Sequence, residues 1–310
     1  MYEELCKKNP YRIIVWGLGK FYNCHVNLLK YAEKNGEIIV VAVTASEVPK
    51  IKFLDEWRVI DSESLFVENF DYIIVMNERD FGEIVRHIVN MGIKREKIIP
   101  CRVMDIPYFN WCDYIHIMES HVSIACNNCW GGILYHTLGL ECLSPFKNLA
   151  LSAKDLLHML PNMKQYLTET PKLVYWSTDP HSNQSYPVMA IDDVRIHFNH
   201  DSTVEGALEK WTRRCKKFNY DNVFVCIYTE EDDEVDMFLN LREFPNKICF
   251  TPYRNGRECW KEENVYELDI LPGQTEFWET VNSNVSNGKN SLEIDILAML
   301  HMKKRYRVKR

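Results

Sequence analysis

The fold of this chain is decided by residues 121–149, which read HVSIACNNCWGGILYHTLGLECLSPFKNL. A short apolar run, Val122 to Ala125, ends in a dense turn of polar residues and glycine, Asn127 to Gly132. Apolar residues then recur at helical spacing. In α/β folds a turn that leads from a strand into a helix is a common ligand site, because the first N–H groups of the helix have no partner within it. The stretch therefore predicts a strand, a turn and a helix, with a binding site at the turn.

The composition indicates a globular protein of two domains. The chain has 310 residues, of which 46% are hydrophobic and 26% are charged, and a chain of this length is long for a single core. The formal net charge of −7 disfavours nucleic acid as a partner. The 11 cysteines are an odd number scattered through apolar segments, which suits reduced thiols in the cytoplasm better than a disulfide framework.

The chain also lacks the sequence signals of export and membrane insertion. Its first residues, MYEELCKKNP, contain no apolar signal core. No apolar run approaches the roughly 20 residues that a membrane-spanning helix needs. We therefore expect a cytoplasmic protein without a membrane span.

The first third of the chain alternates between buried-strand and amphipathic-helix patterns. Strands are predicted at about 12–16, 38–43, 72–76 and 97–100, and helices at 20–34 and 81–88. Apolar strands separated by helices form parallel sheets with right-handed crossovers. The expected fold class is α/β, with a Rossmann-like parallel sheet over residues 1–112. An aromatic, proline-containing connector at 107–113 leads to a second, three-layer α/β domain over residues 113–310.

The second domain shows the same kinds of pattern. Ser152 is placed to start a helix that continues to Leu167, and Ser202 with Glu205 fits a capping box for a helix over 203–218. Two runs that flank Asp192-Asp193 predict a hairpin, although the turn lacks the glycine that such turns favour. The remaining predicted elements are strands at 121–126, 187–191, 194–198, 223–228, 248–250 and 265–268, and a helix at 291–303.

Gly17-Leu18-Gly19 follows a strand and precedes a helix, as a phosphate-binding turn does. Gly17 and Gly19 would let backbone N–H groups approach a diphosphate, so a nucleotide or nucleotide-sugar site is one interpretation. The third glycine of the dinucleotide fingerprint is replaced by Tyr22, and the second strand ends in Val43-Thr44-Ala45-Ser46 rather than in an acidic residue, which disfavours an NAD dehydrogenase. The alternative is a tight turn that binds nothing. The sequence therefore assigns no particular cofactor.

Cysteine and histidine pairs raise two further alternatives. Cys126 and Cys129 form a Cys-x-x-Cys, and His197 and His200 form a His-x-x-His, which are ligand types suited to zinc. The long interval between the pairs is unlike a compact zinc finger, and we assign no metal. Redox use of the cysteine pair is disfavoured as well, because the tryptophan-glycine-proline context of thioredoxins is absent.

A third interpretation makes Cys129 a nucleophile with His197 or His200 as its base. This chemistry needs a thiolate, a nearby imidazole and N–H donors for a developing oxyanion. A cysteine in a turn before a helix supplies the first and the third. The competing interpretation is that Asn127, Asn128 and Trp130 cap the helix and fill the core.

Two charged runs receive a structural interpretation. Glu230 to Glu234 follows a strand and could hold a divalent ion, but it is more typical of a solvated loop that favours the start of the next helix. The tail 303–310 is strongly basic, which predicts a solvated terminus, with weak contact to an anionic surface as the alternative.

Residues 120–255 resemble an uncharacterised bacterial family whose members are loosely labelled exopolysaccharide biosynthesis proteins. The resemblance rests on an ordered set of motifs: Asn127 to Gly132, Tyr135, Leu138 to Leu140, Ser144 to Phe146, Ile196 to His200, Lys210-Trp211, Arg213-Arg214 and Asn222 to Val225. Asp201 stands where the family pattern leads us to expect an aromatic residue. Trp16 to Tyr22 and Asp71 to Val75 are similar to a Rossmann-like module found beside glycan-modifying domains.

The resemblance implies a transferase, modifying acyl or sugar groups, in bacterial surface polysaccharide biosynthesis, with a sugar nucleotide or glycan precursor as its partner. The expected catalytic residues are Cys129, His197 and His200. The expected substrate-binding residues are Asn127, Asn128, Trp130, Ser144, Arg213 and Arg214, of which at most one arginine faces the site because the two are adjacent on a helix. The alternative is a non-catalytic protein that binds a nucleotide sugar or recruits a partner.

Overall fold

A computed structural model describes residues 10–180, 182–252, 262, 264–268 and 295–301. The chain divides into two compact units, Met1–Met118 with Thr137–Gly139, and Glu119–His136 with Leu140–Arg310. Each contains a parallel sheet and helices, so the expected α/β fold class is confirmed. Among the described residues, no helix combines the length and apolar character needed to cross a bilayer.

The first unit is built on a four-stranded parallel sheet. Its elements are β1 (Tyr11–Trp16), α1 (Lys20–Lys34), β2 (Ile38–Thr44), β3 (Phe53–Leu54), β4 (Trp57–Arg58), β5 (Tyr72–Val75), α2 (Phe81–Asn90), β6 (Ile98–Pro100) and α3 (Trp111–Glu119). The strand order is β2-β1-β5-β6, and the short β3-β4 pair forms a separate two-stranded sheet. The central strands are apolar along their length because the sheet is buried on both faces, with α2 packed against one of them.

The segment predicted as a connector becomes helical at Trp111. The side chain of Asn110 accepts a hydrogen bond from the Asp113 N–H at 2.9 Å, which caps the new helix. Tyr114 and Ile117 are buried. The density of proline and aromatic residues before Trp111 concealed these helix signals.

The second unit contains one parallel and one antiparallel sheet. Its elements are β7 (Ser123–Cys126), α4 (Trp130–Thr137), α5 (Ala153–Met159), α6 (Met163–Thr168), β8 (Lys172–Thr178), β9 (Ser185–Ile191), β10 (Val194–His197), α7 (Val204–Cys215), β11 (Val223–Tyr228), α8 (Asp232–Asn240), β12 (Lys247–Pro252), β13 (Val265–Leu268) and α9 (Ile296–Leu300). The parallel sheet has the order β13-β12-β11-β7, and the antiparallel sheet has the order β10-β9-β8.

Both faces of the parallel sheet are covered. On one face Ala125, Val225 and Ile227 belong to a single core with residues of α5 to α8 and of β9 and β10. On the other face α4 packs so closely that a Cβ atom at Gly131 would lie 2.9 Å from Cβ of Cys126. Glycine is therefore required there. The sheet holds the start of α4, and thus the turn before it, in a fixed position.

Three adjacent strands of this sheet each carry a buried cysteine. Cys126 on β7 is the register partner of Cys226 on β11, and Cys249 lies on β12. All three are fully buried and form no disulfide. Burial raises the pKa of the Cys226 and Cys249 thiols well above the usual range for cysteine.

Several predicted elements of the second unit need correction. The helix that begins at Ser152 does not continue to Leu167, because Pro161 lies in a 3-10 turn, Leu160–Asn162, that separates α5 from α6. Helix α7 is capped by Thr203 rather than Ser202, through a 3.1 Å bond from the Gly206 N–H to Oγ1.

Other predictions for this unit are confirmed. The hairpin of β9 and β10 forms around Asp192, which takes the left-handed conformation itself (φ 53°). Asp232, Asp233 and Glu234 form the first turn of α8, as expected for the acidic run. The basic tail 303–310 and parts of the predicted helix 291–303 lie outside the described residues.

Candidate functional site

The turn between β7 and α4 is organised by the side chain of Asn128. Its Oδ1 accepts hydrogen bonds from the Trp130 N–H at 3.0 Å and from the Cys126 thiol at 3.3 Å. The carbonyl of Cys129 accepts from the N–H groups of Gly132 and Ile133, so Cys129 stands immediately before the first turn of the helix. The positive end of the helix dipole therefore lies beside this thiol and stabilises negative charge there.

The structure brings Cys129 next to His200. The Sγ atom of Cys129 lies 3.3 Å from Nε2 of His200, although the two residues are 71 positions apart. Backbone bonds hold their segments together: the Leu151 N–H donates to the carbonyl of Asn127, and Ala150 exchanges two bonds with His197. A thiol and an imidazole at this distance can exchange a proton.

Both residues line a cavity of about 850 Å³ in the second unit. Four segments of the chain form its wall. The first is the start of α4, with Asn128, Cys129 and Ile133, and the second contributes Asn148 and Ala150. The third is the β8–β9 connection with the first two residues of β9, and it contributes Asp179, Pro180, Ser182, Gln184, Ser185 and Tyr186. The fourth follows β10, with Asn199, His200, Asp201 and Ser202. The lining combines amide, hydroxyl and carboxylate groups with apolar surface.

Asn199 is a site residue that the sequence analysis did not single out. Its Nδ2 donates towards Sγ of Cys129 at 3.9 Å, which is a long contact suited to sulfur. Its Oδ1 is buried, and no donor among the described residues reaches it. Asn199 lies between His197 and His200 in the sequence, and this position could have identified it as a candidate site residue.

Asp201 and Lys210 form a second pair that the sequence did not reveal. The Lys210 ammonium donates to Asp201 in an ion pair, and the Asp201 carboxylate is almost fully buried. Asp201 lines the cavity beside His200. This pairing accounts for an acidic residue at a position where an aromatic one was expected.

His197 lies behind the cavity wall rather than in it. It ends β10, is half-buried, and its Nδ1 is 3.3 Å from the hydroxyl of Tyr186, which lines the cavity. Burial lowers the pKa of His197 below its ordinary value, while Asp155 opposes this shift and Arg195 adds to it. The structure therefore separates the two candidate bases: His200 contacts the thiol, and His197 contacts Tyr186.

The side chain of Asn127 makes structural hydrogen bonds to the backbone of β11. Its Nδ2 donates to the carbonyl of Tyr228 at 2.9 Å, and its Oδ1 accepts from the Tyr228 N–H at 3.0 Å. The side chain thus continues the pairing of β7 with β11 by one more residue. Asn127 does not line the cavity, so its contacts give no support to the expected role in substrate binding.

Trp130 and Ser144 are likewise core residues. Trp130 is buried and packs edge-on against Phe250, with ring centroids 5.3 Å apart. The Ser144 hydroxyl donates to the carbonyl of Ile124 at 2.6 Å and accepts from the Phe146 N–H. Neither lines the cavity, so the structure gives no support to a role in substrate binding.

The two arginines point to structural partners too. Arg213 is exposed and pairs with Glu209 one turn earlier on α7, at 3.3 Å. Arg214 donates to the carbonyl of Lys147 at 2.7 Å. Neither lines the cavity, so the structure gives no support to the expectation that one of them holds a phosphate there.

In the first unit, the fold itself explains Gly17. It has a positive φ of 106°, and a Cβ atom there would lie 3.1 Å from the carbonyl oxygen of Met76. Gly19 precedes α1, and a Cβ atom there would meet nothing within 4 Å. The close approach of two strand ends therefore accounts for Gly17 without a nucleotide, while Gly19 stays open to either interpretation.

The cysteine and histidine pairs do not converge on one point. Cys126 is sealed in the core, whereas Cys129 opens to the cavity, and His197 bonds Tyr186 while His200 contacts Cys129. Within the described part of the chain, no group of three or more histidine, cysteine, aspartate or glutamate side chains is placed to hold a metal ion.

Comparison with known proteins identifies the family. The model described as a domain of unknown function (DUF1919) matches residues 101–299, so the chain belongs to this family. Residues 9–99 match the model described as C2185-like, N-terminal. An uncharacterized protein of Haemophilus influenzae is 35% identical over 137 residues, which are 43% of this chain and 63% of the relative. The matched region thus spans less than two thirds of that relative.

Proposed function

We propose that this member of the DUF1919 family is an acyltransferase that uses Cys129 as its nucleophile and modifies a sugar hydroxyl of a bacterial surface-glycan precursor. The observation that carries the proposal is the 3.3 Å contact between Sγ of Cys129 and Nε2 of His200 at the wall of a cavity of about 850 Å³. The glycan class rests on the resemblance of residues 120–255 to exopolysaccharide biosynthesis proteins.

The first half of the reaction transfers the acyl group to the enzyme. His200 takes the thiol proton of Cys129, and the thiolate attacks the carbonyl carbon of an acyl thioester. The bond from that carbon to the donor sulfur breaks, and the donor thiol leaves with the proton from His200. The product is a thioester on Cys129. Asn199, which donates towards Sγ, is placed to stabilise the thiolate before attack.

The second half of the reaction releases the acyl group to the acceptor. His200 removes the proton of a sugar hydroxyl, and the hydroxyl oxygen attacks the Cys129 thioester. The carbon–sulfur bond breaks, the ester forms, and the Cys129 thiolate recovers its proton from His200. Protons and electron pairs balance over the two steps without a redox partner.

The lining of the cavity favours a sugar as the acceptor. Gln184, Asn148 and Ser185 present amide and hydroxyl groups, which match the hydroxyls of a sugar ring. Neither lysine nor arginine is found among the described lining residues, and Asp179 and Asp201 add carboxylates. A phosphate group would therefore be poorly accommodated within this cavity.

The proposal is tested by looking for the acyl-enzyme. The full-length chain is incubated with acetyl-coenzyme A, or with p-nitrophenyl acetate as a minimal donor, and its intact mass is measured. We expect one acetyl group on the wild-type chain, mapped to Cys129, and none on Cys129→Ala. Cys24→Ser is the matched control, because Cys24 is an exposed thiol of the first unit and its loss should leave acetylation unchanged.

His200→Ala should slow the acetylation of Cys129 by about 100-fold, as expected for the loss of a general base. His197→Ala should slow it far less, because His197 contacts Tyr186 and not the thiol. An equal effect of the two substitutions, or acetylation that survives in Cys129→Ala, would contradict the proposal. Stabilisation by a nucleotide sugar without any acetylation would instead indicate a non-catalytic binding protein.

A further inference from the structure

Strand β8 exposes large apolar side chains at the edge of the antiparallel sheet. Leu173, Val174, Tyr175 and Trp176 are 45%, 51%, 42% and 48% exposed, and they follow one another in sequence. One edge of β8 pairs with β9, and no described strand pairs with the other. Successive side chains of a regular strand point to opposite faces, so Tyr175 and Trp176, which follow the irregularity in register, flank the open edge on both sides.

Apart from one irregularity in register, this edge lacks the devices that usually protect an edge strand. Soluble proteins keep such strands short, or place charges and proline on them, because an open edge recruits other strands. β8 is seven residues long, contains no proline, and has a single charged residue, Lys172, at its beginning. An irregularity in register between Leu173 and Tyr175 is the only interruption in its pairing with β9. Such an edge is typical of a strand that another strand covers.

The backbone decides between a strand and a lipid surface as the partner. The open edge presents N–H and C=O groups that need hydrogen-bond partners. A bilayer interior supplies none, whereas an added strand supplies both a ladder of bonds and apolar neighbours. The apolar residues of β8 therefore fit a protein strand better than lipid.

The sequence of β8 is complementary to itself. In an antiparallel pair related by a twofold axis at Tyr175, Val174 lies opposite the partner's Trp176, and Leu173 lies opposite the partner's Ser177. A β-branched residue opposite an aromatic one is a favourable cross-strand pair. Lys172 lies opposite the partner's Thr178 and beside the partner's Asp179, so the lysine meets a carboxylate and no like charges face each other.

We infer that two copies of this chain associate through β8, pairing antiparallel about Tyr175 to form a continuous six-stranded sheet. The arrangement places Lys172 of each copy beside the partner's Asp179. In each copy Asp179 lines the cavity. Association thus adds a positive charge at the rim of each cavity. The inference stands independently of the acyl-transfer proposal, since it rests on β8 alone.

The register is tested by oxidative crosslinking of the full-length chain. Tyr175→Cys brings two thiols together on the twofold axis and should give a crosslinked dimer. Leu173→Cys is the matched control: its partner in this register is Ser177, so the two introduced thiols stay separated by several residues along the strand. We expect Leu173→Cys to crosslink no more than the wild-type chain, whose own cysteines set the baseline.

The association itself is tested by sedimentation over a range of concentrations. The wild-type chain should be dimeric, and Tyr175→Lys should weaken association at least tenfold, because two like charges meet at the axis. Tyr175→Thr, which keeps a strand-forming residue without the charge, should weaken it less. Far-ultraviolet circular dichroism and the melting temperature verify that each variant folds.

Three results would overturn the inference. They are a wild-type chain that stays monomeric at the highest concentration, a dimer that Tyr175→Lys leaves intact, and equal crosslinking by Tyr175→Cys and Leu173→Cys. A monomeric chain that co-floats with phosphatidylglycerol vesicles would identify a lipid surface as the occupant of β8, and would equally overturn it.

Discussion

At the scale of single residues, the site depends on where the side chains of one turn point. Asn128 and Cys129 face the cavity, whereas Asn127 and Trp130 on either side of them face the sheet. A dense polar turn in the sequence predicts a site. It does not predict which of its side chains instead contact the rest of the fold, because those contacts are made with β11 and β12, about a hundred residues away.

Asn199 is expected to support the reactivity of Cys129. Asn199→Ala removes the donor that lies 3.9 Å from Sγ, and we expect alkylation of Cys129 by iodoacetamide to slow by about 10-fold, less than for a close oxyanion donor. The melting temperature should not fall, because the buried Oδ1 has no donor among the described residues. Gln184→Ala is the control, since Gln184 lines the cavity without contacting Sγ. An equal effect of both substitutions would remove Asn199 from the site chemistry.

His197 is expected to make the stability of the protein depend on pH. Burial lowers the pKa of His197 in the folded chain, so the unfolded chain binds the proton more readily. The free energy of unfolding should therefore fall as the pH drops through about 6.5, the ordinary pKa of histidine. In His197→Gln this position no longer titrates, and the fall between about pH 6.5 and pH 5 should be smaller.

Urea unfolding of wild type and His197→Gln at a series of pH values measures this difference. Other titrating groups contribute equally to both chains, so they cancel in the comparison. Two parallel curves would show that His197 does not couple folding to pH.

At the scale of elements, the site is positioned by short links between strands. The bond from the Leu151 N–H to the carbonyl of Asn127 and the bridge between Ala150 and His197 join the β7–α4 turn to the end of β10. The sequence predicted β7, α4, β9 and β10 from their apolar patterns and turns. The link through Ala150 and Leu151 could not be predicted, because isolated bridges carry no periodicity.

Strand β8 was missed for a related reason. A half-buried strand alternates between apolar and polar residues, but β8 is exposed along most of its length and reads KLVYWST. The irregularity at Val174 also shifts the alternation by one residue. Its β-branched and aromatic residues were the remaining signal for a strand.

Asn127 is expected to stabilise the pairing of β7 with β11. In Asn127→Ala the N–H and C=O groups of Tyr228 lose the two bonds that this side chain provides. We expect the free energy of unfolding to fall by about 1–3 kcal/mol per buried group left without its bond. Asn127→Asp keeps the acceptor but sets a buried carboxylate oxygen against the Tyr228 carbonyl, so it should cost at least as much. Urea unfolding measures both, and an unchanged midpoint for Asn127→Ala would show that the bonds contribute little.

At the scale of the whole molecule, all residues that line the cavity belong to the second unit. The first unit has its own core, which includes Ile73, and the second has a separate core, which includes Ile227. The α/β class and the parallel sheets were predictable, because buried strands and amphipathic helices alternate along the chain. In the small antiparallel sheet of the second unit, β9 and β10 were predictable. The third strand, β8, was not, since it lacks the expected alternation.

Because the two cores are separate, we expect the reactivity of Cys129 to be insensitive to destabilising substitutions in the first unit. Ile73→Ala and Ile227→Ala each remove a fully buried side chain and should each cost about 2–5 kcal/mol of stability. At a temperature where both variants remain folded, Ile73→Ala should leave the alkylation rate of Cys129 unchanged. Ile227→Ala should alter that rate, because Ile227 adjoins Tyr228, which Asn127 holds. A slower rate in Ile73→Ala would show that the first unit shapes the site.

The buried thiols of β7, β11 and β12, two on one face of the parallel sheet and one on the other, can report how often the strands of the second unit separate. A reagent such as a maleimide reaches Cys126, Cys226 and Cys249 only while neighbouring strands part, so the modification rate at each position reads out how often that portion of the sheet opens. Native-state dynamics can thus be followed strand by strand with the natural cysteines, without adding any probe to the chain.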